Sequence, residues 1–179
     1  MAVLLGGEAG LRLGEILGLE WPDVDLHGGF VKVQQAIPLD GTVTTPKGDK
    51  PRVVPTTARL RDALASSRHP RGERVLTDED GRGLARWALE WMVDVAERRG
   101  GLRQGGRVHI LRHTFCSRLA ARSVPLLIKE LAGHRAVETT MRYMHPSAAA
   151  PREAIRSLEV ETCWRCGRAM RTRRETART

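Results

Sequence analysis

Lysine, tyrosine and cysteine are scarce in this chain of 179 residues, and aromatics as a whole make up only 4% of it. Three cysteines cannot build a disulfide framework, and the count reads as that of an intracellular, cytoplasmic protein. The longest purely apolar run, Met1 to Leu5, is far too short to span a membrane. It also lacks the basic flank and cleavage site of a secretory signal. No GxxxxGK[ST] occurs, which argues against an ATP-driven P-loop machine. The few aromatics give no sign of base stacking. No internal repeat is visible.

What the chain does have is charge of one sign. Thirty Lys+Arg face 21 Asp+Glu, leaving +9 and a pI near 10.6. Such an excess points to a polyanion partner, usually nucleic acid. Only four of the thirty are lysines (Lys32, Lys47, Lys50 and Lys129); the rest are arginines. With 41% hydrophobic and 28% charged residues the chain is globular, sized for one domain or a domain plus a tail. Residues 1–159 read as that domain and 160–179 as a basic tail.

Apolar spacing predicts a helix over 3–18, in which Gly6, Gly10, Gly14 and Gly18 recur every four residues. Such a stripe weakens a helix unless another backbone packs closely against it. Phe30 to Gln35, Thr42 to Thr45 and Arg52 to Val54 read as three strands of a small antiparallel sheet, with 46–50 as a basic hairpin tip. A helix follows from Thr57 to Ser66, with Leu60 and Leu64 inward. Leu84, Trp87, Trp91 and Val95 are spaced for another helix, which stops at Gly100-Gly101. Further helices are expected over 108–122, with Ile110, Leu111, Phe115 and Leu119 inward, and over 124–132. In the latter Ser123 is the N-cap, Pro125 lies in the first turn and Gly133 stands at C′. Val137, Met141 and Met144 suggest one short turn more, and 151–158 a last helix.

The chemistry concentrates late in the chain. His109, Arg112 and His113 stand at i, i+3 and i+4 and share a helix face. Two imidazoles and a guanidinium suit a phosphate: arginine offers a planar fork of donors at constant charge, and histidine moves a proton near neutrality. The same His spacing would suit zinc, but the glutamate of HExxH is absent, the residue before His113 is Arg112, and a fixed cation beside a dication is unfavourable. Gly133 leaves His134 on an irregular, presentable position. Tyr143, the single tyrosine, lies nine residues on, off the apolar stripe.

Four segments together resemble the catalytic domain of the tyrosine recombinases, the phage-integrase and Xer-like family. They are Ala9 to Leu17 with Leu19, Trp21, Asp23 and Asp25; His109 to Phe115; Leu131 to His134; and Thr140 to Tyr143 with His145. The resemblance covers about residues 5–158. It implies an α+β, mainly helical fold with a small three-stranded antiparallel sheet, and a site-specific recombinase or integrase as the function. Cleavage and rejoining of double-stranded DNA would run through a 3′-phosphotyrosine, without metal, ATP or other cofactor.

By the same resemblance Arg12 and Arg112 would grip one phosphate, and Tyr143 would attack it. His109 would be the general acid/base and His134 a phosphate donor. Lys47 would protonate the leaving 5′-oxygen, and Glu15 would orient the site around Arg12, with His113 in support. Lys47 has support of its own: an ammonium can give up a proton where a guanidinium cannot. Lys50 is its rival.

Lys32, Arg52, Arg107 and Arg142 are candidates for tracking the DNA backbone. A homo-oligomer on DNA or a full-length recombinase is the implied protein partner; no membrane or small-molecule substrate is. Family members carry an opening helix and a DNA-clamping domain before the first box, and only 11 residues precede Arg12 here. Two other readings remain: DNA relaxation like that of type IB topoisomerases, and a non-catalytic DNA-binding remnant. In the tail Cys163 and Cys166 supply half of a zinc site at most.

Overall fold

The glycine stripe near the N-terminus divides the expected helix in two. In the computed structural model, which describes residues 1–39, 41–45, 51–101, 107–121 and 125–144 (107 by its backbone alone), α1 is Ala2–Glu8 and α2 is Leu13–Gly18. The break falls at Gly10, whose φ of +65° a side chain would oppose. A Cβ there would also sit 2.4 Å from the Phe115 ring, and one at Gly6 would sit 2.9 Å from Cβ of Leu111. Both neighbours belong to α5 (Arg107–Ala120), so the missing side chains let α5 lie directly on α1. Gly14 and Gly18 likewise meet backbone, at Ile37 O and Ala36 Cα. The expected close packing is therefore present, although the single helix over 3–18 is not.

A short 3-10 turn, Trp21–Asp23, leads into β1 (Val24–Asp25), β2 (Phe30–Val33) and β3 (Arg52–Pro55), an antiparallel sheet in the order β1-β2-β3. The three-stranded sheet stands as expected, but its first strand is β1 rather than Thr42 to Thr45. Gly28 and Gly29 close a tight β1–β2 hairpin, where Asp25 accepts from Gly28 N–H at 2.7 Å. Of the 42–45 segment, only Thr44 bridges, to Ala36. Val43 is exposed, so no buried face fixes a strand there. Val31 and Val54 pair across the sheet and are buried, as is Val33, opposite Arg52.

Thr57 caps α3 (Ala58–Ser66) through Leu60 N–H, and Leu60 and Leu64 are buried as the spacing predicts. Then comes α4 (Arg86–Arg99), which ends at Gly100 as expected. It buries Leu89, Val93 and Glu97, while Trp87 and Trp91 are 73% and 58% exposed. The face towards α1 and α5 takes the slimmer aliphatic side chains. The helices α6 (Pro125–Ala132) and α7 (Val137–Met141) complete the described part. Among the described residues no helix is long and apolar enough to cross a membrane.

Two apolar clusters result. The larger joins α1 to α4 and the sheet and includes Leu5, Leu11, Ile16, Val31, Leu60 and Leu89. The smaller consists of Phe115, Cys116, Ile128 and Ala132, with Tyr143 and Met144 packed against it.

Candidate active site

The turn at Gly10 leaves Arg12 extended as the N-cap of α2 (φ −74°, ψ 157°), where its own N–H donates to Glu15 Oε2 at 2.8 Å. Its guanidinium donates from Nη1 to Glu15 Oε1 at 3.0 Å and from Nη2 to the Gly133 carbonyl at 2.6 Å. A hundred residues on, Arg112 donates from Nη2 to the Ala132 carbonyl and from Nη1 to the Gly10 carbonyl, both at 2.5 Å. The two guanidinium groups thus converge on neighbouring carbonyls at the end of α6. A helix C-terminus carries unpaired carbonyls and partial negative charge, so cations settle there.

The expected polar face of α5 splits. His109 and His113 are exposed, whereas Arg112 turns inward with Val108, Phe115 and Cys116. Ile110, expected inward, is exposed. Burial first, and the neighbouring charge of Arg12 second, lower the Arg112 pKa to about 10. It remains cationic at neutral pH.

Gly133 ends α6 in the left-handed region, at φ +67°, and His134 N–H closes the turn on Lys129 O. This holds the His134 ring inside, with Nδ1 2.9 Å from the Thr140 hydroxyl. The Tyr143 ring stacks on it, with centroids 6.0 Å apart and planes 8° from parallel. His113 approaches Tyr143 from α5 at 5.1 Å between centroids, and His109 stands 6.3 Å beyond His113. Burial chiefly, and the Cys116 thiol next, raise the Tyr143 pKa above the ordinary phenol value of 10, against the pull of Arg112 and Arg142.

Arg52 requires a correction. As a candidate for the DNA backbone it should be exposed, yet its side chain is 6% accessible. It donates from Nη1 and Nη2 to the two oxygens of Glu15, at 2.9 and 2.7 Å, and from Nε to the Leu131 carbonyl at 3.0 Å. The signal was in the sequence: Arg52 and Val54 share the inward side of β3, and an inward arginine needs an anion. Thr140, fully buried beside His134, was also missed. Burial alone would raise the Glu15 pKa; the hydrogen bonds and charge of Arg52, helped by Arg12, hold it below the ordinary value.

Lys32 on β2 and Arg142 after α7 are exposed. Lys47, Lys50, Ser123, His145, the helix expected over 151–158 and the cysteines of the tail lie outside the described residues, as does the Arg107 side chain.

Among the described residues, three guanidinium groups and one carboxylate surround the last turn of α6, a local excess of positive charge that suits an anion. Two histidines and a phenol stand beside it. Residues 1–150 match the model of the phage integrase family. The tyrosine recombinase XerC of Pseudomonas syringae pv. tomato is 33% identical over 144 residues, 76% of this chain and 44% of that protein. XerC of Xylella fastidiosa strain 9a5c is 33% identical over 142 residues, 76% of this chain and 45% of that one. The chain thus spans less than half the length of these curated relatives.

Among solved structures, the Tn1549 transposon integrase in complex with transposon right end DNA superposes with a TM-score of 0.76 at 20% identity. That match covers 88% of this chain and 58% of the integrase. The catalytic domain of bacteriophage HP1 integrase matches with a TM-score of 0.61 at 26% identity, covering 87% of this chain and 79% of that domain.

Proposed function

Because this chain belongs to the phage integrase family, we propose that it is the catalytic part of a site-specific DNA recombinase, working on double-stranded DNA through a covalent tyrosyl intermediate. The observation that carries the reading is the convergence of Arg12 and Arg112 on adjacent carbonyls of Ala132 and Gly133, beside Tyr143.

In the reaction, Arg12 and Arg112 donate to the oxygens of the scissile phosphate. Charge-assisted bonds to its oxygens are shorter and stronger than those to neutral carbonyls. The pentacovalent transition state gathers negative charge on its equatorial oxygens, and fixed cations stabilise it without reorganising. Tyr143 Oη attacks phosphorus, the bond from phosphorus to the 5′-oxygen breaks, and that oxygen takes a proton from Lys47. At neutral pH roughly one phenol in a thousand is ionised at the ordinary pKa, so full deprotonation costs about 4 kcal/mol. Burial adds to that, and an imidazole base offsets it; His109 is that base, with His113 between it and the phenol. A Thr140 hydroxyl donating to His134 Nδ1 fixes the tautomer with its proton on Nε2, which donates to a phosphate oxygen. The phosphotyrosine conserves the phosphodiester energy, so rejoining needs no ATP.

Residues 1–159 form the catalytic domain in this reading and 160–179 a basic tail. Lys32, Arg107 and Arg142 follow the DNA backbone. The protein partner is a second copy on DNA or a full-length recombinase, and the place of action is the cytoplasm, on the nucleoid. Incubation with a nicked suicide duplex tests the reading. The wild-type chain gives a denaturant-stable protein–DNA band and Tyr143→Phe gives none. DNA binding without any band would mean a non-catalytic remnant, and relaxation of a plasmid that carries no target site would favour topoisomerase chemistry.

A further inference from the structure

We infer that Arg52 is a positioning residue for the phosphate-gripping pair, acting through Glu15 on Arg12 and through the last turn of α6 on the place the phosphate occupies. The inference rests on the function proposed above.

The argument begins with donor geometry. Arginine has five N–H donors in a rigid plane, and Arg52 commits both terminal nitrogens to Glu15 and Nε to Leu131 O. Three successive residues at the end of α6, Leu131, Ala132 and Gly133, thus accept from Arg52, Arg112 and Arg12 in turn. Arg52 belongs to a different element from the other two: its backbone is fixed by the β2–β3 ladder, opposite Val33. It therefore ties α6 to the sheet.

A second observation is independent of these bonds. A Cβ at Gly133 would lie 2.9 Å from Nη1 of Arg52 and 3.2 Å from its Cδ and Cζ. The guanidinium lies against the bare backbone of the residue whose carbonyl holds Arg12 and whose turn presents His134. The third element is charge. Glu15 is 1% exposed and meets two cations. If Arg12 were alone with it, the carboxylate would claim both ends of that guanidinium and cancel its charge. Arg52 engages both carboxylate oxygens, while Arg12 meets Glu15 Oε1 through Nη1 and the Gly133 carbonyl at the end of α6 through Nη2. A lysine could not replace it, since an ammonium cannot span two carboxylate oxygens and a carbonyl in one plane.

The test uses the full chain with Arg52→Lys, Arg52→Met, Arg12→Met and the double variant Arg12→Met/Arg52→Met. Single-turnover cleavage of the nicked duplex is measured at saturating DNA, and binding is measured separately. A displaced Arg12 should slow cleavage about 10- to 100-fold for Arg52→Lys, with DNA affinity changed less than about threefold. The double variant should lose less than the product of the two single losses, because Arg52 acts in part through Arg12. Cleavage by Arg52→Lys at the wild-type rate, or independent losses in the double variant, would overturn the inference.

A readout without activity separates this inference from the one beneath it. In 15N-arginine spectra of the DNA-free protein, the Arg12 Nε–H signal should shift and broaden in Arg52→Lys, and Arg12 signals identical in both proteins would also overturn it. Should the wild type form no covalent band, the functional reading falls and these spectra alone decide the positioning. If Arg52→Met fails to fold, Arg52→Met/Glu15→Gln, which removes the orphaned charge as well, provides the soluble comparison.

Discussion

Arg12 stands on the larger of the two apolar clusters and His134 and Tyr143 on the smaller, with Arg112 on α5 where the two meet. The cationic side rests on α1, α2 and α5, where Leu5, Leu11, Ile16 and Val108 are closed off from solvent. The phenolic side rests on Phe115, Cys116, Ile128 and Ala132, and α7, which lies between His134 and Tyr143, is five residues long. Local stability follows the number of buried apolar contacts, so the two sides should open with different free energies. A cationic cradle that does not move suits electrostatic stabilisation, which is effective only when it need not reorganise. In the function proposed above Tyr143 attacks, carries DNA and releases it, and a lightly packed segment suits that part.

The largest expected effects separate chemistry from scaffolding. Tyr143→Phe should abolish the covalent complex yet leave thermal stability near that of the wild type at neutral pH. Arg112→Met should lower cleavage by about 10²- to 10³-fold, as loss of a fixed charge donor does. It should also destabilise the fold, because the Gly10 and Ala132 carbonyls lose a buried donor, at about 1–3 kcal/mol each. Denaturant unfolding of both variants checks the contrast. Equal stability would mean that the cationic side is no more structural than the phenol.

Truncation inside each cluster sharpens the comparison. Leu11→Ala and Ile128→Ala both remove fully buried side chains, and each should cost about 2–5 kcal/mol. Their reach should differ. Ile128→Ala should speed amide exchange in α6 and α7 while α1 and α5 stay protected; Leu11→Ala should lower protection everywhere. Exchange followed by mass spectrometry reads this, and a uniform response to Ile128→Ala would erase the distinction between the clusters.

The two sides should also fail at opposite ends of the pH scale. Glu15 is held below its ordinary 4.5, so the unfolded chain takes up its proton first as pH falls. The stability it contributes is present above 4.5 and is lost as pH drops through the lower folded value. The Tyr143 pKa is raised above 10, so the unfolded chain loses its proton first as pH rises. Its contribution is present below 10 and is lost through the higher folded value. Glu15→Gln should therefore flatten the acid limb of the stability profile, and Tyr143→Phe the alkaline one. The reverse assignment would contradict the burial and partners of both groups.

Which parts of this were legible in the sequence follows from what each signal depends on. Spacing within one element read well: Thr57 before α3, Gly133 after α6, Leu60 and Leu64 inward. That Arg12 and Arg112 come together was legible because four short segments occur in order. Properties set by a partner distant in sequence were not. The break at Gly10 depends on the Phe115 ring, and the burial of Arg52 depends on Glu15 and Leu131. The first strand depends on a glycine turn that closes on Asp25. Arg112 looked like a surface residue beside two histidines because the carbonyls it serves belong to other elements.

The face of α4 gives the smallest expected effect and an instructive one. Two tryptophans at i, i+4 carry more surface than two aliphatics, and both belong to the apolar spacing that predicts the helix. In the fold, Leu89 and Val93 are buried and the indoles face out. A residue that keeps most of its surface in solvent contributes little to burial, so Trp87→Gln should change stability by less than about 0.5 kcal/mol. Leu89→Ala, on the other side of the same helix, should cost about 2–5 kcal/mol. Denaturant melts of the pair decide which face is the inner one. A large loss from Trp87→Gln would mean that this surface is covered in the protein as it exists in solution, and that the apolar spacing had named a real contact.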